Sequence, residues 1–191
     1  MPNLHYGVIQ ANAAGDATII ASASDSAGAG GSYPVVVTSV TPPPSFEDFT
    51  LQPARHLNIG QPVMLDTMRV TLVEGYGAFD PSPGYYRGLR TGDLDEVNKY
   101  ACRVRIEPNS PCRSVSLSGY DYRSADGTSN RVFFYGEDDL LIQVLTIETD
   151  FSMGGAPYDM DYRSPGGLIK FIELSASKYN LTSLYHMRTD S

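Results

Sequence analysis

LLIQVLTIET, residues 140–149, is a mainly apolar stretch whose assignment decides between a helical and a β fold. Its period alone is ambiguous, because a short apolar run suits a buried strand or a buried helix segment. The β-branched Ile, Val and Thr residues and the flanking Gly and Asp residues favour a strand. No segment of the chain keeps a helical period beyond two turns. The run therefore predicts a buried strand in an all-β protein.

Outward from this run, residues 46–191 alternate between β-rich segments and clusters of Gly, Pro, Asn and Asp. The longest predicted loops cover 75–99, 121–130 and 150–167. Eight strands joined by long loops predict a two-sheet β-sandwich, a jelly roll. The predicted strands are 46–51, 68–74, 100–107, 113–120, 131–135, 140–149, 168–176 and 179–187.

The first forty residues form a separate β-rich region. YGVIQANAAGDATIIASAS (6–24) predicts strand–turn–strand with a turn at Gly15-Asp16, and SYPVVVTSV (32–40) adds a further β run. TPPPS (41–45) then predicts an extended, semi-rigid connector, because three prolines do not fit inside a sheet. We expect a short β arm at 1–40, a linker at 41–45 and a sandwich at 46–191.

Composition excludes several classes of function. The chain of 191 residues has a formal net charge of −8, which argues against nucleic-acid binding, since phosphate contacts need cationic surface. No stretch approaches the roughly 18 apolar residues of a membrane span, and we expect no membrane insertion. No basic segment followed by an apolar one indicates a signal peptide.

The arm resembles the C-terminal half of the bacterial immunoglobulin-like group 2 domain. The residues that carry the resemblance are Gly7-Val8-Ile9, Ala14-Gly15-Asp16-Ala17-Thr18-Ile19, Ala21-Ser22-Ala23 and Val35-Val36-Val37-Thr38-Ser39-Val40. The resemblance implies an incomplete Ig-like unit, which would leave unpaired strand edges. We therefore expect residues 1–40 to attach to neighbouring subunits, as in a homo-oligomer, or to a capsid or tail protein.

The remainder resembles galactose-binding-like and carbohydrate-binding jelly-roll modules. The resemblance rests on Phe46-Glu47-Asp48-Phe49, Pro83-Gly84-Tyr85-Tyr86-Arg87-Gly88-Leu89, Ser114-Val115-Ser116-Leu117 and Tyr179-Asn180-Leu181-Thr182-Ser183-Leu184. It implies a jelly roll that binds glycans. The last strand of that family often carries an acidic pair where this chain has Asn180 and Thr182, which weakens the calcium site that the resemblance would imply.

A Gly/Pro-rich loop concentrates the candidate ligand-binding residues. Tyrosine stacks on the C–H faces of sugars and offers a hydroxyl group, and arginine adds hydrogen-bond donors. The same residue types are also enriched in subunit interfaces, so both readings stay open. The candidates are Tyr76, Phe79, Tyr85, Tyr86, Arg87 and Arg90.

A second loop offers oxygen ligands for calcium, with Asp93, Asp95, Glu96 and Asn98 close together. The alternative is that these residues only keep an acidic protein soluble. Cys102 and Cys112 flank a predicted strand and turn, and they are candidates either for a disulfide in an oxidising compartment or for two reduced thiols.

No catalytic motif stands out. The three histidines, His5, His56 and His186, have no paired spacing, and no GxSxG or phosphate-binding loop occurs. The sequence therefore favours a non-enzymatic, surface-displayed binding protein, a decoration or tail-associated phage protein on the virion surface. The alternative is the C-terminal part of a secreted or cell-surface bacterial adhesin or polysaccharide-binding protein. A glycoside-active enzyme, with carboxylates drawn from Glu47, Asp48, Glu137, Asp138 and Asp139, ranks third.

Overall fold

The chain separates into two compact units, Met1–Pro42 and Pro43–Ser191. The computed structural model describes the backbone of 15–22 and 30–37 and, with side chains, residues 45–82, 87–92, 101–122, 129–148, 155–177 and 181–190. The exact boundaries predicted at residues 40 and 46 stay predictions. In these described ranges, no helix is long and apolar enough to cross a membrane.

The first unit contains one antiparallel hairpin. Strand β1 (Gly15–Ser22) pairs with β2 (Gly30–Val37), in a register that runs from Gly15 opposite Val37 to Ser22 opposite Gly30. The predicted turn at Gly15-Asp16 is wrong, because both residues already pair with valines of β2. Residues 6–14 lie outside the described part, and the Ig-like resemblance stays a prediction.

The second unit is built from short and medium strands and one 3₁₀ turn, η1 (Phe49–Leu51). At η1 the chain leaves its first strand, because the Asp48 carboxylate accepts a 2.9 Å hydrogen bond from the Thr50 N–H and caps the turn. The strands are β3 (Ser45–Asp48), β4 (Arg55–His56), β5 (Pro62–Met64), β6 (Met68–Glu74), β7 (Gly77–Asp80), β8 (Gly88–Thr91), β9 (Cys102–Pro108), β10 (Ser114–Tyr122), β11 (Arg131–Gly136), β12 (Leu141–Thr146), β13 (Ala156–Arg163), β14 (Ile169–Ala176) and β15 (Leu181–Asp190).

These strands form two sheets. The seven-stranded sheet has the order β13-β10-β15-β8-β7-β4, with β3 also paired to β15, and the six-stranded sheet has the order β12-β11-β14-β9-β6-β5. From β9 onward the chain passes repeatedly from one sheet to the other, and the ladders between these strands are antiparallel. This two-sheet β-sandwich of jelly-roll type confirms the predicted all-β fold.

The core lies between the sheets and follows from alternation along the strands. In β9, Val104 and Ile106 are fully buried while Arg103 and Arg105 point outward, and β10 buries Val115 and Leu117 in the same way. One continuous apolar cluster joins these residues to Phe49, Phe79 and Phe134. Each such side chain contributes about 1.5–3 kcal/mol through burial, so the sandwich holds the outer faces rigidly.

The stretch 140–149 does form a strand, but the prediction that it is buried is wrong. β12 is the edge strand of the six-stranded sheet and packs only one of its faces, so Leu140 and Leu141 are 66% and 52% exposed. The predicted loops at 75–99 and 150–167 also contain strands, β7 and β8 in the first and β13 in the second.

The two cysteines are free buried thiols, so a disulfide between them is not formed. Cys102 pairs with Ala176 and Cys112 with Ile169, so they lie opposite the two ends of β14. Seven residues of strand separate these positions, about 23 Å at about 3.3 Å per residue. A disulfide requires Cα atoms about 4.4–6.8 Å apart.

Candidate functional site

A pocket of about 300 Å³ opens at the β4 edge of the seven-stranded sheet. It combines one tyrosine, two arginines, a histidine and a carboxylate in a small space. Of the predicted ligand-binding residues, three line it: Tyr76, Phe79 and Arg90. The full lining is Ala54, Arg55, His56, Tyr76, Ala78, Phe79, Asp80 and Arg90.

Tyr76 is held at the pocket by its backbone. Gly75 before it has φ +75°, and a Cβ there would lie 2.8 Å from the Cα of Cys102, so only glycine fits. The Tyr76 N–H donates to the Cys102 Sγ at 3.2 Å. The ring of His56 meets the Tyr76 ring edge-on at 5.4 Å, which leaves the tyrosine half-buried and oriented.

Asp80 and Arg90 form an ion pair across neighbouring strands, with 3.2 Å between the Asp80 Oδ2 and the Arg90 Nη1. Burial alone would raise the pKa of Asp80, but hydrogen bonds from Ser82 and Arg90 hold it below its ordinary value. Asp80 is therefore charged at neutral pH, and it fixes the Arg90 guanidinium 5.6 Å from the centre of the Tyr76 ring.

Phe79 plays a structural part in the pocket. Its side chain is only 1% exposed and stacks on Phe49 at 6.3 Å, inside the sandwich. The Arg55 guanidinium covers its ring at 5.2 Å. The Phe79 ring therefore cannot serve as an exposed platform, and the exposed group at this position is Arg55 on β4.

The pocket continues into a row of side chains across five strands, which we call the outer row: His56, Ala78, Arg90, Ser183 and Tyr120. Each is the direct cross-strand partner of the next, so all five share the outer face of the sheet. Four strand spacings give the row a length of about 19 Å. The Ser183 Oγ in its middle is buried and has no hydrogen-bond partner among the described residues.

Arg87 lies on the same sheet, with its guanidinium 5.3 Å from the centre of the Tyr185 ring. Burial is the largest influence on the pKa of Tyr185 and raises it. Tyr120 also raises this pKa, whereas Arg87 lowers it. Tyr120 is anchored by its hydroxyl, which donates to the Gly155 carbonyl at 2.7 Å. Tyr120 and Tyr185 were missed by sequence reasoning, although the alternation of SLSGYDY in β10 already places Tyr120 on the polar face.

Six of the predicted site residues lie outside the described residues: Tyr85, Tyr86, Asp93, Asp95, Glu96 and Asn98. Within the described ranges, no group of three or more His, Cys, Asp or Glu side chains could hold a metal ion. Calcium binding by the loop at 93–98 stays a prediction.

Three of the five carboxylates considered for catalysis make structural contacts. Glu47 is buried and accepts hydrogen bonds from Gln52 and Thr67. Asp48 caps η1, and Asp139 pairs with Lys170 at 2.8 Å in the turn between β11 and β12.

A second polar cluster lies on the outer face of the six-stranded sheet, where its groups satisfy one another. Glu173 is only 2% exposed and accepts two hydrogen bonds from Arg105, at 3.0 and 2.8 Å. The Arg105 guanidinium lies 4.0 Å from the centre of the Phe171 ring, which stacks on Tyr135. Burial raises the pKa of Tyr135, and the negative charge of Glu173 raises it further. The side chains of this cluster therefore bind one another, which gives the cluster a structural role.

The fold and the pocket define a jelly-roll β-sandwich with an aromatic and arginine-lined site at one sheet edge. No protein-family model matches the chain, and no curated protein does. Among solved structures, one titled "CBM4 structure and function" aligns with 10% identity over 72% of this chain and 78% of that chain, with a TM-score of 0.31. Another, titled "BiXyn10A CBM1 APO", aligns with 6% identity over 77% of this chain and 96% of that chain, with a TM-score of 0.33. The fold assignment rests on the strand order given above.

Proposed function

We propose that this protein is a non-enzymatic saccharide-binding module whose site is the β4-edge pocket together with the outer row. The observation that carries the proposal is the placement of the Tyr76 ring beside the Asp80–Arg90 ion pair. A half-exposed aromatic ring stacks on the C–H face of a sugar. A donor and an acceptor that are held in place form hydrogen bonds with the hydroxyl groups of that sugar.

The volume of the pocket and the length of the outer row suit an extended chain of sugars. A volume of about 300 Å³ is at the lower end of small-ligand sites, which fits one part of a longer ligand. The outer row places the exposed His56 and the partly exposed Arg90 and Tyr120 along about 19 Å, with Ala78 and Ser183 buried between them.

The charges of the pocket favour binding over hydrolysis. Most glycoside hydrolases need two carboxyl groups on either side of the scissile bond. Asp80 is the one carboxylate among the described residues that line the pocket, and Arg90 already pairs with it. This geometry supports a recognition role.

The test is binding of the full chain to an array of oligosaccharides, followed by calorimetric titration of the best ligand. Tyr76→Ala is expected to weaken binding at least about tenfold, or about 1.4 kcal/mol, because it removes the stacking surface. Tyr135→Ala, on the other sheet, is the matched control and should bind as the native chain does. Equal loss in both variants would contradict the proposed site.

The proposal extends to how the module is carried. We propose that residues 1–40 attach it to a larger assembly, on a virion surface or, alternatively, on a secreted or cell-surface protein. In its support, the β1–β2 hairpin forms a sheet of two strands in the described part of the first unit, and such a hairpin is marginally stable alone. Removal of residues 1–42 should abolish self-association or attachment and leave saccharide binding intact.

Calcium is proposed on sequence grounds alone, at residues 93–98. A melting temperature that rises with calcium and falls with chelator would support it, and an unchanged melting temperature would remove it.

A further inference from the structure

Among the described residues, the cationic groups in and beside the pocket outnumber the anionic ones. Asp80 neutralises Arg90, whereas Arg55 forms no ion pair among the described residues and stacks on Phe79. Arg87 is likewise without an ion pair in the described part and stacks on Tyr185. In the part of the chain that the structure describes, two arginines on this sheet therefore have no ion pair, although the chain has a net charge of −8.

Three arginines of the six-stranded sheet form ion pairs with carboxylates. On the six-stranded sheet, Arg103 and Arg105 pair with Glu173, and Arg69 pairs with Glu107. A protein with 22 acidic residues against 14 basic ones has carboxylates to spare for such pairing. Arg131, at the exposed start of β11, also has no ion pair among the described residues, so the distinguishing feature of Arg55 and Arg87 is that each stacks on an aromatic ring, Arg55 in the lining of the pocket.

We propose that the ligand is an acidic saccharide, whose anionic group binds Arg55, with Arg87 holding a second one. This inference rests on the proposed saccharide-binding function. A guanidinium presents its N–H groups as a planar fork that matches a carboxylate, phosphate or sulfate group with two hydrogen bonds. Stacking on Phe79 or Tyr185 restrains the guanidinium plane and leaves these edge donors available.

The distance between Arg55 and Arg87 lets each arginine bind a different acidic unit of the same saccharide. Arg55 lies on β4, and Arg87 directly precedes β8, with β7 between them. Two strand spacings give about 10 Å across the sheet, and Arg87 is two residues from Leu89, the position in register with Arg55, which adds about 7 Å along the strand. Arg90, on β8 itself, is held by Asp80.

The experiment compares matched acidic and neutral ligands on the full chain. Oligogalacturonate is titrated beside its methyl ester, and a sulfated dextran oligosaccharide beside plain dextran oligosaccharide. The two pairs distinguish a carboxylate from a sulfate as the recognised group. In at least one pair, the acidic member should bind at least about tenfold more tightly, because hydrogen bonds to charged groups are the stronger ones.

Three variants then show which arginine causes the preference for the acidic ligand. Arg55→Gln should remove most of this preference, and Arg87→Gln part of it. Arg131→Gln removes the same charge from the exposed start of β11, on the other sheet, and should change nothing. The preference should also shrink when salt is raised from about 0.01 M to about 1 M, since the Debye length falls from about 30 to about 3 Å.

Failure of this inference and failure of the proposed function give different results. Equal affinity for acidic and neutral members, with Arg55→Gln behaving like Arg131→Gln, would overturn the acidic ligand and keep saccharide binding. Binding to no saccharide, acidic or neutral, across the array would overturn the proposed function itself.

Discussion

At the scale of single residues, two glycines determine where the site can form. Gly75 sets the position of Tyr76, and Gly88 allows β8 to approach β15. Gly88 has φ +96°, and a Cβ there would lie 2.4 Å from the Leu184 carbonyl oxygen. The backbone conformation and the space both require glycine, so the outer row depends on this residue.

Gly88→Ala is expected to lower the free energy of unfolding by at least about 2 kcal/mol, because it adds backbone strain to a clash with main-chain atoms. Urea unfolding measures the change. Gly166→Ala is the control, since a Cβ there meets nothing within 4 Å and should alter stability by less than about 0.5 kcal/mol. Similar stability for the two variants would contradict the close approach of β8 to β15.

Asp80 gives the pocket a defined response to pH. Its pKa is lowered in the folded state, so its contribution to stability is present above its ordinary value of 3.8 and is lost as pH falls through the lower folded value. The melting temperature of the native chain should therefore exceed that of Asp80→Asn at neutral pH. This difference should shrink below about pH 4. A difference that grows on acidification would contradict the ion pair.

Cys112 is expected to be chemically inert in the folded protein. Burial, with the Asp190 carboxylate adding to it, raises the pKa of its thiol to about 12, so almost no thiolate exists at neutral pH. Alkylation by iodoacetamide, followed by mass spectrometry, should leave Cys112 unmodified until denaturant is added. Rapid modification under native conditions would contradict its burial.

At the scale of elements, the sequence predicted the interior strands and missed the short or polar ones. The strand predicted at 68–74 has the same bounds as β6, because its apolar residues alternate and face the core. β13 was predicted as loop, since Pro157, Asp159 and Asp161 hide its pattern in an edge strand. β7 and β8 have four residues each and contain glycines, so they carry too little periodic signal.

The edge position of β12 leads to a test of its own. Leu141→Lys should change the free energy of unfolding by less than about 0.5 kcal/mol, because this side chain is largely exposed. Val132→Ala, on the neighbouring strand β11, removes fully buried methyl groups and should cost about 1–3 kcal/mol. Urea unfolding of both variants compares the two positions. A large loss for Leu141→Lys would place β12 in the core after all.

At the scale of the whole molecule, the site comes from segments far apart in sequence. Tyr76 and Arg90 could be predicted, because aromatic and arginine residues concentrate in one loop. His56, Ser183 and Tyr120 could not, since their places in the outer row follow from the register of four strand pairings. Composition indicates the chemistry of such a surface, and only the sheet topology brings its members together.

The most direct test of saccharide binding at this surface is an amide chemical-shift map of the full chain titrated with its best array ligand. Saccharide binding at this surface predicts shifts clustered on Tyr76, Ala78, Arg90, Ser183 and Tyr120. Shifts clustered instead on Arg103, Arg105 and Tyr135, across the outer face of the six-stranded sheet, would contradict it.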